Sequence, residues 1–231
     1  MKQTARRFAL LVTVLWTSTA QAAQYVVAEA RGIGIPVGSV LDPTRPLVLR
    51  QGQHLGLISE SGQMINLNGP YQRAPIQDQG VTVTAALGGL ITERNARTSE
   101  IGAVRGAAPK RPLPSPWLID ASQSGIACLR AGDAPVLWRP DSSRASALQI
   151  ASSDRSWTAL SVWPSGRGEL MLDPKLGMHA DASYFIALDK HETAVTLAAV
   201  PATASSAPMQ AAWMIARGCI RQAEALLRTT Q

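Results

Sequence analysis

From residue 117 to residue 200 short apolar segments return about every ten residues, each closed by a turn former, and that rhythm leaves room for strands and little else. The candidates are 117–119, 125–129, 135–139, 147–150, 157–163, 169–172, 184–188 and 194–200. Turns such as Ala131-Gly132-Asp133 and Ser165-Gly166 separate them. Short strands at this spacing predict an antiparallel β-sandwich-like domain over 117–201. Trp138, Trp157 and Trp163 fall inside these strands. Core packing is the ordinary use of such rings; two rings on one exposed face would instead form a platform for stacking sugars.

The segment 47–71 alternates more strictly still. Leu47 and Leu49, then Leu55 and Leu57, then Ile65 and Leu67 recur at period two, which predicts three short strands joined by tight turns. Gly52, Gly62 and Gly69 stand where the backbone would take a positive φ, and Pro70 stops the last strand. Upstream, 24–30 predicts a first strand and Val37-Gly38 a turn into another. Gly32, Gly34 and Gly38 are spaced wrongly for a dinucleotide-binding loop, and Pro36 would break the helix that such a loop must open.

The order of Val37-Gly38, Leu41, Gln51-Gly52, Leu55 and Leu57, Ser61-Gly62, then Ile65 and Leu67 resembles the periplasmic FecR-like domain. The resemblance spans 24–71. It implies a compact all-β module of short strands and glycine turns, and an envelope compartment. It does not imply a sigma-regulator role, since the anti-sigma region and membrane helix of the family's regulators have no counterpart before it.

After residue 75 the pattern changes. Val83, Leu87, Leu90, Ile91 and Arg94 recur at helical intervals and predict a helix over 81–94, weakened by Gly88-Gly89. Its polar face lacks the Lys and Arg cluster of a membrane-surface helix, so its apolar face is expected on the preceding sheet. The Pro- and Ala-rich segment 100–116 predicts an extended linker, with a proline-rich ligand for a partner as the alternative. The resulting division is a FecR-like unit with its helix over 23–99, the linker 100–116, the sandwich-like unit 117–201 and a carboxy-terminal helix in 202–231.

That last helix is predicted over 209–228, with a break at Gly218; Ala212, Ile215, Ala216, Cys219, Ala223, Leu226 and Leu227 share one face. The only two cysteines are Cys128 and Cys219. In an exported chain an even count predicts a bridge. A loop of that length is worth about 4–5 kcal/mol in chain-entropy terms. The alternative is a pair of buried free thiols.

Export is predicted by the amino terminus. Lys2, Arg6 and Arg7 precede the apolar run 8–16, and Ala20 and Ala22 form a small-x-small site, so cleavage is expected after Ala22 and the mature protein is expected to be periplasmic or secreted, with no transmembrane segment. Removing 1–22 takes away three of the 22 basic residues and none of the 16 acidic ones, so +6 falls to +3. That charge argues against a nucleic-acid partner.

Catalytic patterns are missing. His54, His179 and His191 have no second ligand at metal spacing, His191-Glu192 lacks the later His of a zinc helix, and no nucleophile elbow occurs. The sequence therefore predicts no catalytic residue, no metal and no cofactor. The expected function is an exported, non-enzymatic binding or scaffold module for an envelope protein partner. The alternatives are glycan or peptidoglycan binding through Trp138, Trp157 and Trp163, and a hydrolase whose site is assembled in space.

Overall fold

The computed structural model describes residues 24–42, 45–73, 81–82, 87–89, 91–92 and 111–230. The signal peptide expected over 1–22, half of the helix expected over 81–94 and most of the linker expected over 100–116 lie outside them.

Strands β1 (Tyr25–Arg31), β2 (Val40–Leu41), β4 (His54–Ser59), β5 (Gln63–Asn68) and β7 (Val81–Thr82) form one antiparallel sheet in the order β2-β1-β4-β5-β7. Strands β3 (Leu47–Leu49) and β6 (Tyr71–Arg73) form a separate two-stranded sheet. The three strands expected over 47–71 are present, but β3 is not joined to β4; it pairs with β6. Gly52 and Gly62 take positive φ, as the turns require. Gly69 does not: its peptide bond to Pro70 is cis, and a Cβ there would overlap the carbonyl of Arg50. Closeness of backbones, not a left-handed φ, demands glycine at that position.

The helix expected from residue 81 starts later. Val81 and Thr82 extend the sheet by pairing with Met64 and Gln63, while 87–89 and 91–92 are helical. β-branched residues in alternation suit a strand edge as well as they suit a helix face.

All eight strands expected over 117–200 form. They are β8 (Leu118–Asp120), β9 (Gly125–Arg130), β10 (Val136–Trp138), β11 (Ser146–Ser152), β12 (Thr158–Trp163), β13 (Glu169–Met171), β14 (Ser183–Leu188) and β15 (His191–Val200). They divide into a three-stranded sheet β13-β10-β8 and a five-stranded sheet β12-β11-β14-β15-β9. The pairing is not antiparallel throughout: β8 runs parallel to β10, and β9 runs parallel to β15. Both exceptions follow from β8 and β9 being joined by a short turn while lying in different sheets, so each reaches its neighbour through a long connection. Ile119 and Leu137 of the smaller sheet share one core with Leu148, Ile150, Ile186 and Leu197 of the larger.

The carboxy-terminal helix is two helices, α1 (Ala207–Arg217) and α2 (Ile220–Thr229). Ser206 caps α1 through the N–H of Met209, and Pro208 sits in its first turn. Gly218, at φ 94°, ends α1 by donating to the carbonyls of Ile215 and Met214, and this is the break expected there.

The helix pair is a shared middle layer. Val26, Ala28 and Ile58 of the amino-terminal sheet, Met209, Trp213 and Ile215 of α1, and Cys128, Ala198 and Val200 of the carboxy-terminal sheet belong to one core. On its other face β1 sends Tyr25 and Val27 into a second core with Leu49, Leu55 and Leu67. Burial on both faces explains the nearly unbroken apolar run that opens β1.

Candidate functional site: the two margins of the carboxy-terminal sheets

The five-stranded sheet ends in β9 on one side and β12 on the other, and the two margins are finished differently. β9 is closed by α2. Gln222 is buried, and its side-chain amide accepts from Cys128 N–H (2.6 Å) and donates to Cys128 C=O (2.8 Å), as a neighbouring strand would. The Cys128–Cys219 disulfide is formed, with Cα atoms 5.9 Å apart, and fastens the start of α2 to the same strand. Asp120 at the end of β8 accepts from Ser122 N–H and Oγ and pairs with Arg221 of α2. A cleft of 290 Å³ remains here, lined by Gln123, Ser124, Ile126, Gly218, Arg221 and Gln222 among others. Its Asp120 and Arg221 are committed to each other.

β12 is open. Ser152 N–H donates to Trp157 O (3.3 Å), and on the far side of β11 Asp189 N–H donates to Ala147 O (2.8 Å). The alternation of an antiparallel ladder then turns the backbone groups of Ala159 and Ser161 toward β11, and those of Thr158, Leu160 and Val162 away from it. Among the described residues no strand pairs with that side. The side chains of Leu160 and Val162 are 77% and 64% exposed. The connection 164–168 leads directly to β13, the margin of the smaller sheet, where Met171 is 73% exposed. Among the described residues, each of the two sheets thus ends in a strand with no partner on its outer side and an exposed apolar side chain.

Arg139 holds this side together. Its buried guanidinium donates to the carbonyls of Arg144 and Pro164 (2.9 and 2.8 Å), to Ser146 Oγ (2.9 Å) and, through Nε, to Arg167 O (3.3 Å). It lies 5.0 Å from the centroid of the Trp163 ring. In the turn before β12 the Ser152 hydroxyl, with Ser156 N–H, holds the Asp154 carboxyl down from 3.8 to about 2. The Ser143 N–H lowers Asp141 in the same way, in direction.

The three rings named from sequence do not assemble a platform. Trp163 is fully buried and donates Nε1–H to Arg167 O (2.8 Å), Trp138 is buried beside Leu113 and Leu118, and Trp157 is half-buried 6.0 Å from Tyr184. The histidines are dispersed as well. His54 in β4 meets Asn68 (2.9 Å) and Glu29 (3.5 Å), His179 contacts the Ala180 carbonyl, and His191 opens β15. Among the described residues no three His, Cys, Asp or Glu side chains are grouped to hold a metal ion. No helix among them is long and apolar enough to cross a membrane. Sequence reasoning missed Gln222 and Arg139. The usable signal for Gln222 was a polar residue between Cys219 and Ala223 on an apolar helix face; for Arg139 it was a lone charge ending a strand beside Trp138.

No family model, curated protein or solved structure matches the chain.

Proposed function

We propose that this protein is an exported, non-enzymatic scaffold of the cell envelope, and that it binds polypeptide by strand addition along β12. The single observation that carries the reading is the open edge itself. Three residues, Thr158, Leu160 and Val162, turn unpaired backbone groups outward among the described residues, two of them with exposed aliphatic side chains, and the strand carries no charge to repel an incoming chain. Monomeric proteins blunt such edges with lysine, proline, bulges or a covering element. Among the described residues this protein covers β9 in that way, through Gln222 and α2, and leaves β12 bare. Main-chain hydrogen bonds would supply the affinity, and pockets for alternate side chains the selectivity.

The envelope location rests on the basic and apolar amino terminus, and accords with a cysteine pair joined in a bridge. The amino-terminal unit is read as FecR-like, supported by short strands turning at Gly38, Gly52 and Gly62. The carboxy-terminal unit is read as sandwich-like, supported by two sheets over one core.

A photo-crosslinking residue placed at 160 in the native host tests the edge. A discrete polypeptide adduct from position 160, absent when the same residue is placed at exposed Lys175, is the expected result. Equal labelling at both positions, or adducts to cell-wall fragments alone, sinks the reading.

A further inference from the structure

We propose that the occupant of β12 is β12 of a second copy of this chain, added antiparallel about a two-fold axis at Leu160. This rests on β12 being a binding edge and names what fills it. The result is one continuous sheet running through both copies.

The backbone selects the register. Thr158, Leu160 and Val162 point their N–H and C=O outward, so pairing Leu160 with Leu160 of the second copy sets Thr158 opposite Val162 at both ends. Every outward group on the three residues is then used. A slip by one hydrogen-bonding step one way would set Thr158 opposite Pro164, which has no N–H to give, and the other way would set Val162 opposite Ser156, whose N–H is already held by Asp154 at 3.1 Å. On the exposed face the same register lays Leu160 against its twin, and Val162 against Thr158.

Charge selects the direction. Asp154 lies four residues before β12 and Arg167 four residues after it. Both are exposed, and neither is in an ion pair among the described residues, whereas the nearby Arg155 is already held by Glu192 at 3.1 Å. Antiparallel addition brings the turn that holds Asp154 in each copy to the same end of the pair as the connection that holds Arg167 in the other. Parallel addition would set like against like. The strand itself, Thr158–Trp163, carries no charged residue and no proline, so nothing in it resists its own image.

Sedimentation of the oxidised mature protein over a range of concentrations tests the inference. The wild type is expected to dimerise reversibly, and Leu160→Lys to be monomeric with an unchanged circular dichroism spectrum. Asp154→Lys alone and Arg167→Glu alone are each expected to weaken the dimer by about tenfold. An equimolar mixture of the two variants is expected to recover it, because each mixed pair restores opposite charges at both ends. A monomeric wild type overturns self-pairing, and so does a dimer indifferent to Leu160→Lys or a mixture no tighter than its components. A hetero-adduct from position 160 would then keep the binding edge while removing the second copy as its occupant.

Discussion

The side-chain amide of Gln222 makes with Cys128 the two hydrogen bonds that another strand would make, at 2.6 and 2.8 Å. A helix residue thereby completes a sheet. Gln222→Leu would leave a buried N–H and a buried C=O unpaired, and each such group costs about 1–3 kcal/mol. The expected loss is about 2–4 kcal/mol in a urea titration of the oxidised protein. Gln222→Glu should be at least as costly, because it removes the donor and buries a charge; a titration indistinguishable from wild type would show that the amide is dispensable.

The covalent link beside it acts on the unfolded chain. Cys128 and Cys219 are 91 residues apart. Replacing both with Ala should lower stability by about 2–5 kcal/mol. Both sulfurs are buried, so mild reductant should leave the folded protein bridged while reducing it readily in urea. Thiol labelling with and without denaturant reads this directly.

Arg139 is a buried cation satisfied mainly by carbonyls, not by a carboxylate. Arg139→Met fills similar space and leaves those acceptors unpaired, at an expected cost of about 2–4 kcal/mol. Arg139→Lys should also fail to restore stability, since one ammonium cannot reach four acceptors laid out for a guanidinium. Cleavage in 164–168 under limited proteolysis should rise in both variants before global unfolding does.

Asp154 makes a pH prediction whose sign is fixed. Its carboxyl is depressed in the folded state to about 2 from 3.8, first by the Ser152 hydroxyl and then by Ser156 N–H. The charged form is therefore favoured by folding. Its stabilising effect is fully present above the unfolded value of 3.8 and disappears as pH falls through about 2. A carboxyl-carbon NMR titration of Ser152→Ala should show the midpoint moving up toward 3.8; a midpoint that stays put would assign the shift elsewhere.

Strand existence was legible in the sequence because a half-buried strand writes its period into neighbouring residues. All eight segments between 117 and 200 were found on that signal, and Gly218 announced the end of α1. Partnership was another matter. Nothing local tells Leu47–Leu49 that its neighbour is Tyr71–Arg73, or tells Gly125–Arg130 to run parallel to His191–Val200. Those choices are made by packing between segments far apart in the chain. The same holds for the site: the alternation of Thr158–Trp163 identified a strand, but its place at the margin of a sheet exists only once four other strands have assembled.

The bond between Cys128 and Cys219 also has a mechanical meaning. Tension pulling on the chain from outside these two positions, 91 apart in sequence, crosses from β9 to α2 through sulfur and never enters the span between them. Strands β10 to β15 and helix α1 lie wholly inside that shunt. A chain pulled at its two ends would fray at its flanks while β12, inside the bridged span, keeps its shape.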